Sequence, residues 1–160
     1  MSRAIELAGL ELADLVLLSV IDSDPMINSS IAKETEQLTT FQRGLIFKHF
    51  PRKDIAVESE TPTGAVYRHT AGEGMKIQTK ILQGNPVDKI CSCADEVNAD
   101  LVIVGNRGLG NIGSAVLGSV SEKVVRKCLK SVLVVKSSGS SGSKSSDWES
   151  VHSRRTVGLR

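Results

Sequence analysis

Two periods alternate along this chain: short apolar runs of strand character, and longer stretches in which apolar residues recur every three or four positions. Leu15-Val16-Leu17-Leu18-Ser19-Val20-Ile21 and Leu101-Val102-Ile103-Val104 are the clearest runs. Each predicts a strand covered on both faces of a parallel sheet. The first strand is set at Ala13 to Ile21, after a short helix from Ser2 to Leu12. An acidic turn, Asp22-Ser23-Asp24-Pro25, leads to a helix from Ser30 to Phe50, whose Ile31, Leu38, Phe41, Leu45 and Ile46 fall near helical spacing and which Pro51 stops. Asn85 is placed to cap a helix from Pro86 to Ala99, with Val87, Ile90, Ala94 and Val97 on its buried stripe. Ser131 to Val135 reads as the last strand. Met75, Ile77, Thr79 and Ile81 alternate with Lys76, Gln78, Lys80 and Leu82, predicting an exposed edge strand. Arg52 to Gly74 has no clear period, and Gly64 to Ala71 is expected to be a helical piece. Strands alternating with helices define an α/β fold: a doubly wound, mostly parallel open sheet, Rossmann-like, in three α/β/α layers.

Composition narrows the class. A chain of 160 residues, 40% hydrophobic and 24% charged, fits one globular unit with a real core. A net charge of +2 is too weak to imply nucleic acid, and with 3% aromatic residues stacking platforms are scarce, so no nucleic-acid partner is expected. No run is long and apolar enough to cross a membrane and no secretory leader is read, so a cytoplasmic protein is expected. Cys91, Cys93 and Cys128 make a poor disulfide framework and lack zinc spacing; they are read as packing or surface thiols, with redox sensing the less favoured alternative. His49, His69 and His152 have no recurring partners, so neither a metal site nor a nucleophilic triad follows from them. From Ser137 the chain turns Ser/Gly-rich and polar, which sets a domain at 1–136 and a flexible tail at 137–160.

The most chemical stretch runs from Val104 to Ser121. It ends a strand, spaces Gly105, Gly108 and Gly118 through a loop, and opens a helix at Ser119. Ser119 and Glu122 have capping-box spacing, and Val120, Val124 and Cys128 form one stripe. Residues without a Cβ let backbone N–H groups approach a ligand, and a helix N-terminus adds partial positive charge, so phosphate is the fitting guest. The plain alternative is a flexible strand-to-helix loop. Arg107 sits inside the loop, where it reaches phosphate or bonds the loop backbone. Gly108, Gly110 and Gly113 also spell a dinucleotide-type string, but no acidic residue ends a following strand, and no Walker lysine is present.

In full, the spacing Gly105-x2-Gly108-x9-Gly118-Ser119 resembles the glycine signature of the universal stress protein family. Leu15 to Ile21 resembles that family's second strand, Gln83-Gly84-Asn85-Pro86 its entry to the third helix, and Ala99 to Gly105 with Gly118 to Val125 its most recognisable segments. The resemblance implies ATP, with or without magnesium, as the ligand. Val20 would meet adenine through its backbone, Gly105, Arg107 and Gly108 would line the ribose-phosphate side, and Gly118, Ser119 and Val120 would bind the outer phosphates. Val20 reads equally well as an ordinary core residue. The resemblance further implies a homodimer through Val132 to Val135 and a regulatory role in the stress response. No catalytic base or nucleophile stands out, so no enzyme is expected beyond slow incidental ATP hydrolysis. The alternative is a nucleotide-independent dimerisation module of the same fold. The family normally opens with a strand followed by an Asp, whereas Met1-Ser2-Arg3-Ala4 already reads as helix. That missing first strand would lie between the strand ending at Ile21 and the one ending at Gly105. Either those neighbours re-pair, another segment fills the gap, or the sheet is weakened.

Overall fold

The computed structural model describes residues 2–11, 13–22, 31–70, 74–106, 117–136 and 155–159, with Ser2 and 155–159 described as backbone. In chain order the elements are α1 (Ser2–Glu11), β1 (Leu15–Ile21), α2 (Ile31–His49), β2 (Ile55–Thr61), β3 (Gly64–His69), β4 (Lys76–Gln83), α3 (Pro86–Glu96), β5 (Leu101–Gly105), α4 (Ser119–Lys127), β6 (Ser131–Val135) and β7 (Arg155–Leu159). They build one seven-stranded sheet in the order β2-β3-β4-β1-β7-β5-β6. β1 pairs parallel with β4, and β5 with β6.

Alternation along β1 divides the core between two faces. Leu15 and Leu17 pack with Ala4, Ile5 and Ala8 of α1, Ile46 of α2, Tyr67 and Ile77. Leu18 and Val20 face the other way, onto Val87, Ile90 and Ala94 of α3 and Val124 of α4. All seven β1 residues are buried, as a strand covered by helices on both faces must be. α3 follows its sequence signals closely: the Asn85 side chain accepts from the N–H groups of Val87 and Asp88, and Pro86 occupies the first helical position.

Two expectations are corrected at the other edge. Gly64 to Ala71 is not helical; Gly64–His69 is β3, which pairs antiparallel with β2 on one side and β4 on the other. β4 is therefore not an edge strand, and its Ile77, Thr79 and Ile81 are buried. The turn that makes this possible needs glycine. A Cβ on Gly64 would stand 2.3 Å from the Thr79 carbonyl oxygen, inside the backbone of the neighbouring strand. Replacing Gly64 by Ala is expected to cost about 2 kcal/mol through this overpacking. Thermal unfolding checks it, and an unchanged Tm would mean the hairpin opens without penalty. β2 is left as the outer strand, polar and exposed, with Glu58 paired to Arg68 and Glu60 to Arg43, a charged edge that discourages further strand pairing.

The gap expected in the middle of the sheet is filled. β7, from the stretch expected to be part of a flexible tail, lies between β1 and β5 and pairs antiparallel with both. Residues 137–154 lie outside the described residues. Composition hid this strand, because five residues with a glycine among them follow a long Ser/Gly run. Gly158 stands in register with Val16 on one side and Val102 on the other. At that position the sheet receives no side chain. Val16 and Val102, with Leu18, Ile90, Cys93, Ala94, Val97 and Ala99, line a cavity of about 20 Å³ under α3.

Candidate functional site

The stretch between β5 and α4 is pinned at its two ends. The Asn106 N–H donates to the Val135 carbonyl at 2.9 Å, tying the exit of β5 to the end of β6. The Gly118 N–H then donates to the Asn106 carbonyl, also at 2.9 Å, holding Gly118 beside Asn106. Ser121, buried in the first turn of α4, donates its hydroxyl to the Gly105 carbonyl at 2.5 Å. The start of α4 is thereby fixed beside the C-terminal end of β5. Sequence reasoning missed Ser121; its place two residues after Ser119, at the end of a glycine loop, is the signal that could have found it.

The cap of α4 differs from the expected box. Gly118, not Ser119, is the N-cap, with φ −63° and ψ 148° and no side-chain cap bond. Glu122 thus falls at the fourth helical position, too far along to reach back, and its carboxylate pairs with Arg126 at 2.9 Å. A glycine cap offers no side-chain acceptor to the first-turn N–H groups, so donors of Ser119, Val120 and Ser121 are not claimed by the cap residue. Their partial positive charge marks this end of the helix for an anion.

β7 stops short of the same end of the sheet. Its ladder stops at Ser19 on the β1 side and at Val104 on the β5 side, one residue short of Val20 and of Gly105. These are the C-terminal ends of β1 and β5, the end of the sheet at which open α/β folds hold their ligands. The structure brings Val20, Gly105, Gly118, Ser119 and Val120 around this end of the sheet. Val20 itself is a core residue, 7% exposed and packed against α3, so only its backbone faces a role. Arg107 and Gly108, and with them Gly110 and Gly113, lie outside the described residues.

Other candidate chemistry is structural. Lys123, Arg126 and Lys127 are exposed on α4; Arg126 pairs with Glu122, and Lys127 with Asp88 of α3. Among the described residues no group of His, Cys, Asp or Glu is arranged to hold a metal, and no helix is long and apolar enough to cross a membrane. The cysteine reading needs correction. Cys91 and Cys128 are joined as a disulfide, their Cα atoms 5.2 Å apart. The sequence concealed the pair because only the packing of α3 against α4 brings these residues together. Cys93 stays free and 3% exposed, and burial pushes its thiol up from the ordinary cysteine value.

A sheet with helices on both faces, whose β5 leads to a glycine-capped α4, defines the Rossmann-like α/β class, and comparison with known chains specifies the family. The universal stress protein family model matches residues 1–136. Universal stress protein MJ0577 of Methanocaldococcus jannaschii is 27% identical over 128 residues, 79% of this chain and 79% of that one. A solved structure of MJ0577 superposes with a TM-score of 0.57 at 27% identity, covering 78% of this chain and 76% of its own. A universal stress protein of Mycobacterium tuberculosis (strain H37Rv) is 42% identical over 67 residues, 42% of this chain and 45% of its own length. The chain belongs to the universal stress protein family.

Proposed function

We propose that this chain is a regulatory protein of the stress response, working in the cytoplasm, that holds ATP at the C-terminal ends of β1 and β5, beside the start of α4. The observation that carries the reading is the conjunction of a glycine-capped N-terminus of α4, fixed to β5 through Ser121, with a β7 ladder that stops short of Val20 and Gly105. In this arrangement the N–H groups of Gly118, Ser119 and Val120 and the Ser119 hydroxyl hold the outer phosphates. Gly105, with Arg107 and Gly108 beyond it, lines the ribose-phosphate side, and the Val20 backbone meets the adenine edge. Gly105 and Gly118 fit phosphate because no Cβ stands between ligand and backbone. Magnesium, where present, would arrive on the phosphates. The role proposed is binding rather than turnover, with at most slow incidental hydrolysis.

The second reading is a nucleotide-independent interaction module. One observation favours it: β6 pairs only with β5 among the described residues, and Leu133 on it is 42% exposed. A second copy pairing along Val132 to Val135 would cover that edge and make a homodimer.

Calorimetric titration of the folded protein with ATP plus magnesium separates the two. Saturable binding at up to millimolar ligand, with GTP weaker, is expected. Absence of any heat of binding from a protein shown to be folded would sink the ATP reading and leave the module.

A further inference from the structure

We propose that Cys91 and Cys128 form a thiol–disulfide exchange site that takes low-molecular-weight disulfides, such as glutathione disulfide, and locks α4 onto α3 when oxidised. The inference goes beyond nucleotide binding and stands without it.

α3 and α4 lie side by side over β5, sharing Val87, Ile90, Ala94 and Val124 in one cluster. Cys91 is in the middle of α3, and Cys128 is the residue that ends α4. With Cα atoms 5.2 Å apart, the pair sits at a separation a disulfide accepts without backbone movement. Neither residue is fully buried, which places the pair in the outer seam between α3 and α4 rather than in the core. Cys93, two residues along the same helix, is buried and serves as the contrast within the molecule.

Two features suit the pair to opening and closing. The seam does not depend on the sulfurs alone: Lys127 pairs with Asp88, and the Lys130 ammonium donates to the Asn98 side chain at 3.0 Å. These contacts keep the thiols within reach after reduction, yet exposed pairs of this kind hold weakly, so the covalent link changes the grip substantially. The ring closed by the disulfide spans a separation of 37 residues and contains β5, the glycine stretch and all of α4. Oxidation therefore constrains the start of α4, to which the outer phosphates are assigned.

The chemistry balances as two exchanges. One cysteine thiolate attacks a sulfur of glutathione disulfide; the S–S bond breaks, a glutathione thiolate leaves, and a mixed disulfide forms. The second cysteine thiolate attacks the protein-side sulfur of that mixed disulfide and expels the second glutathione. The protein loses two electrons, the reagent gains them, and the two thiol protons end on the two released glutathiones.

The full chain, equilibrated in glutathione buffers of graded oxidised-to-reduced ratio and then acid-quenched, alkylated and peptide-mapped, tests this. A single two-electron transition confined to Cys91 and Cys128 is expected, with Tm higher by on the order of 10 °C on the oxidised side. Amides of α4 are expected to exchange more slowly with deuterium in the oxidised form, while those of β4 stay unchanged. Equal Tm at both ends of the series, or glutathione retained on either cysteine as a stable mixed disulfide, overturns the proposal. Cys91→Ser should abolish the redox dependence of Tm; its survival in that variant would equally refute the assignment.

Discussion

The Gly118→Asp protein is expected to bind ATP about a hundred-fold more weakly than the parent while unfolding at a temperature about 2 °C higher. The two effects have opposite signs because one carboxylate causes both. Gly118 is the N-cap of α4 with ordinary extended dihedrals, so a side chain enters there without backbone strain. Asp is a preferred cap: its oxygen accepts from the first-turn N–H groups and its charge complements the helix dipole. Those are the donors assigned to the outer phosphates. Losing two charge-assisted bonds at about 1.5 kcal/mol each gives the stated factor before repulsion between anions is counted. Calorimetry reads the first effect and differential scanning the second. A better-capped helix with undiminished ATP affinity would move the phosphates away from α4.

Val157→Pro is expected to cost at least about 3 kcal/mol, a large share of the stability of a domain this size. Position 157 pairs with Leu17 on one side and Ile103 on the other. In an interior strand each N–H is directed at one neighbour, and proline removes that donor while its ring obstructs the ladder. The loss would also bare the facing edges of β1 and β5, two of the most apolar strands in the chain, and aggregation on heating should follow. Urea unfolding checks the first consequence and light scattering the second. A proline tolerated at 157 without change in either would show that the sheet does not rely on β7.

What could be read beforehand was local. β1 and β5 declare themselves as apolar runs, and Asn85-Pro86 announces α3 because a cap and a first-position proline act within a few residues. The glycine spacing likewise located the turn at Gly105 and Gly118. Whatever needed a distant partner stayed hidden. β3 depends on Gly64 lying against the carbonyl of Thr79, and β4 becomes interior only once that hairpin exists. Capping of α4 turned on a shift of one residue, from Ser119 to Gly118, that spacing alone does not resolve. The Cys91–Cys128 link required two helices to be packed first. β7 is the extreme case: Arg155-Thr156-Val157-Gly158-Leu159 has little strand character, and what makes it a strand is a vacancy between β1 and β5.

The position of β7 also orders events in time. Leu15 pairs with Leu159, so the join between the two halves of the sheet is made on the β1 side by the most sequence-distant strand pairing in the fold. The β4-β1 and β5-β6 pairs can each assemble from nearer segments, but they remain separate pieces until residues 155–159 close the centre. Such a late, non-local closure slows folding. During that interval two bare inner edges stand open, and a β7 donated by a neighbouring molecule would fit them as well as the chain's own.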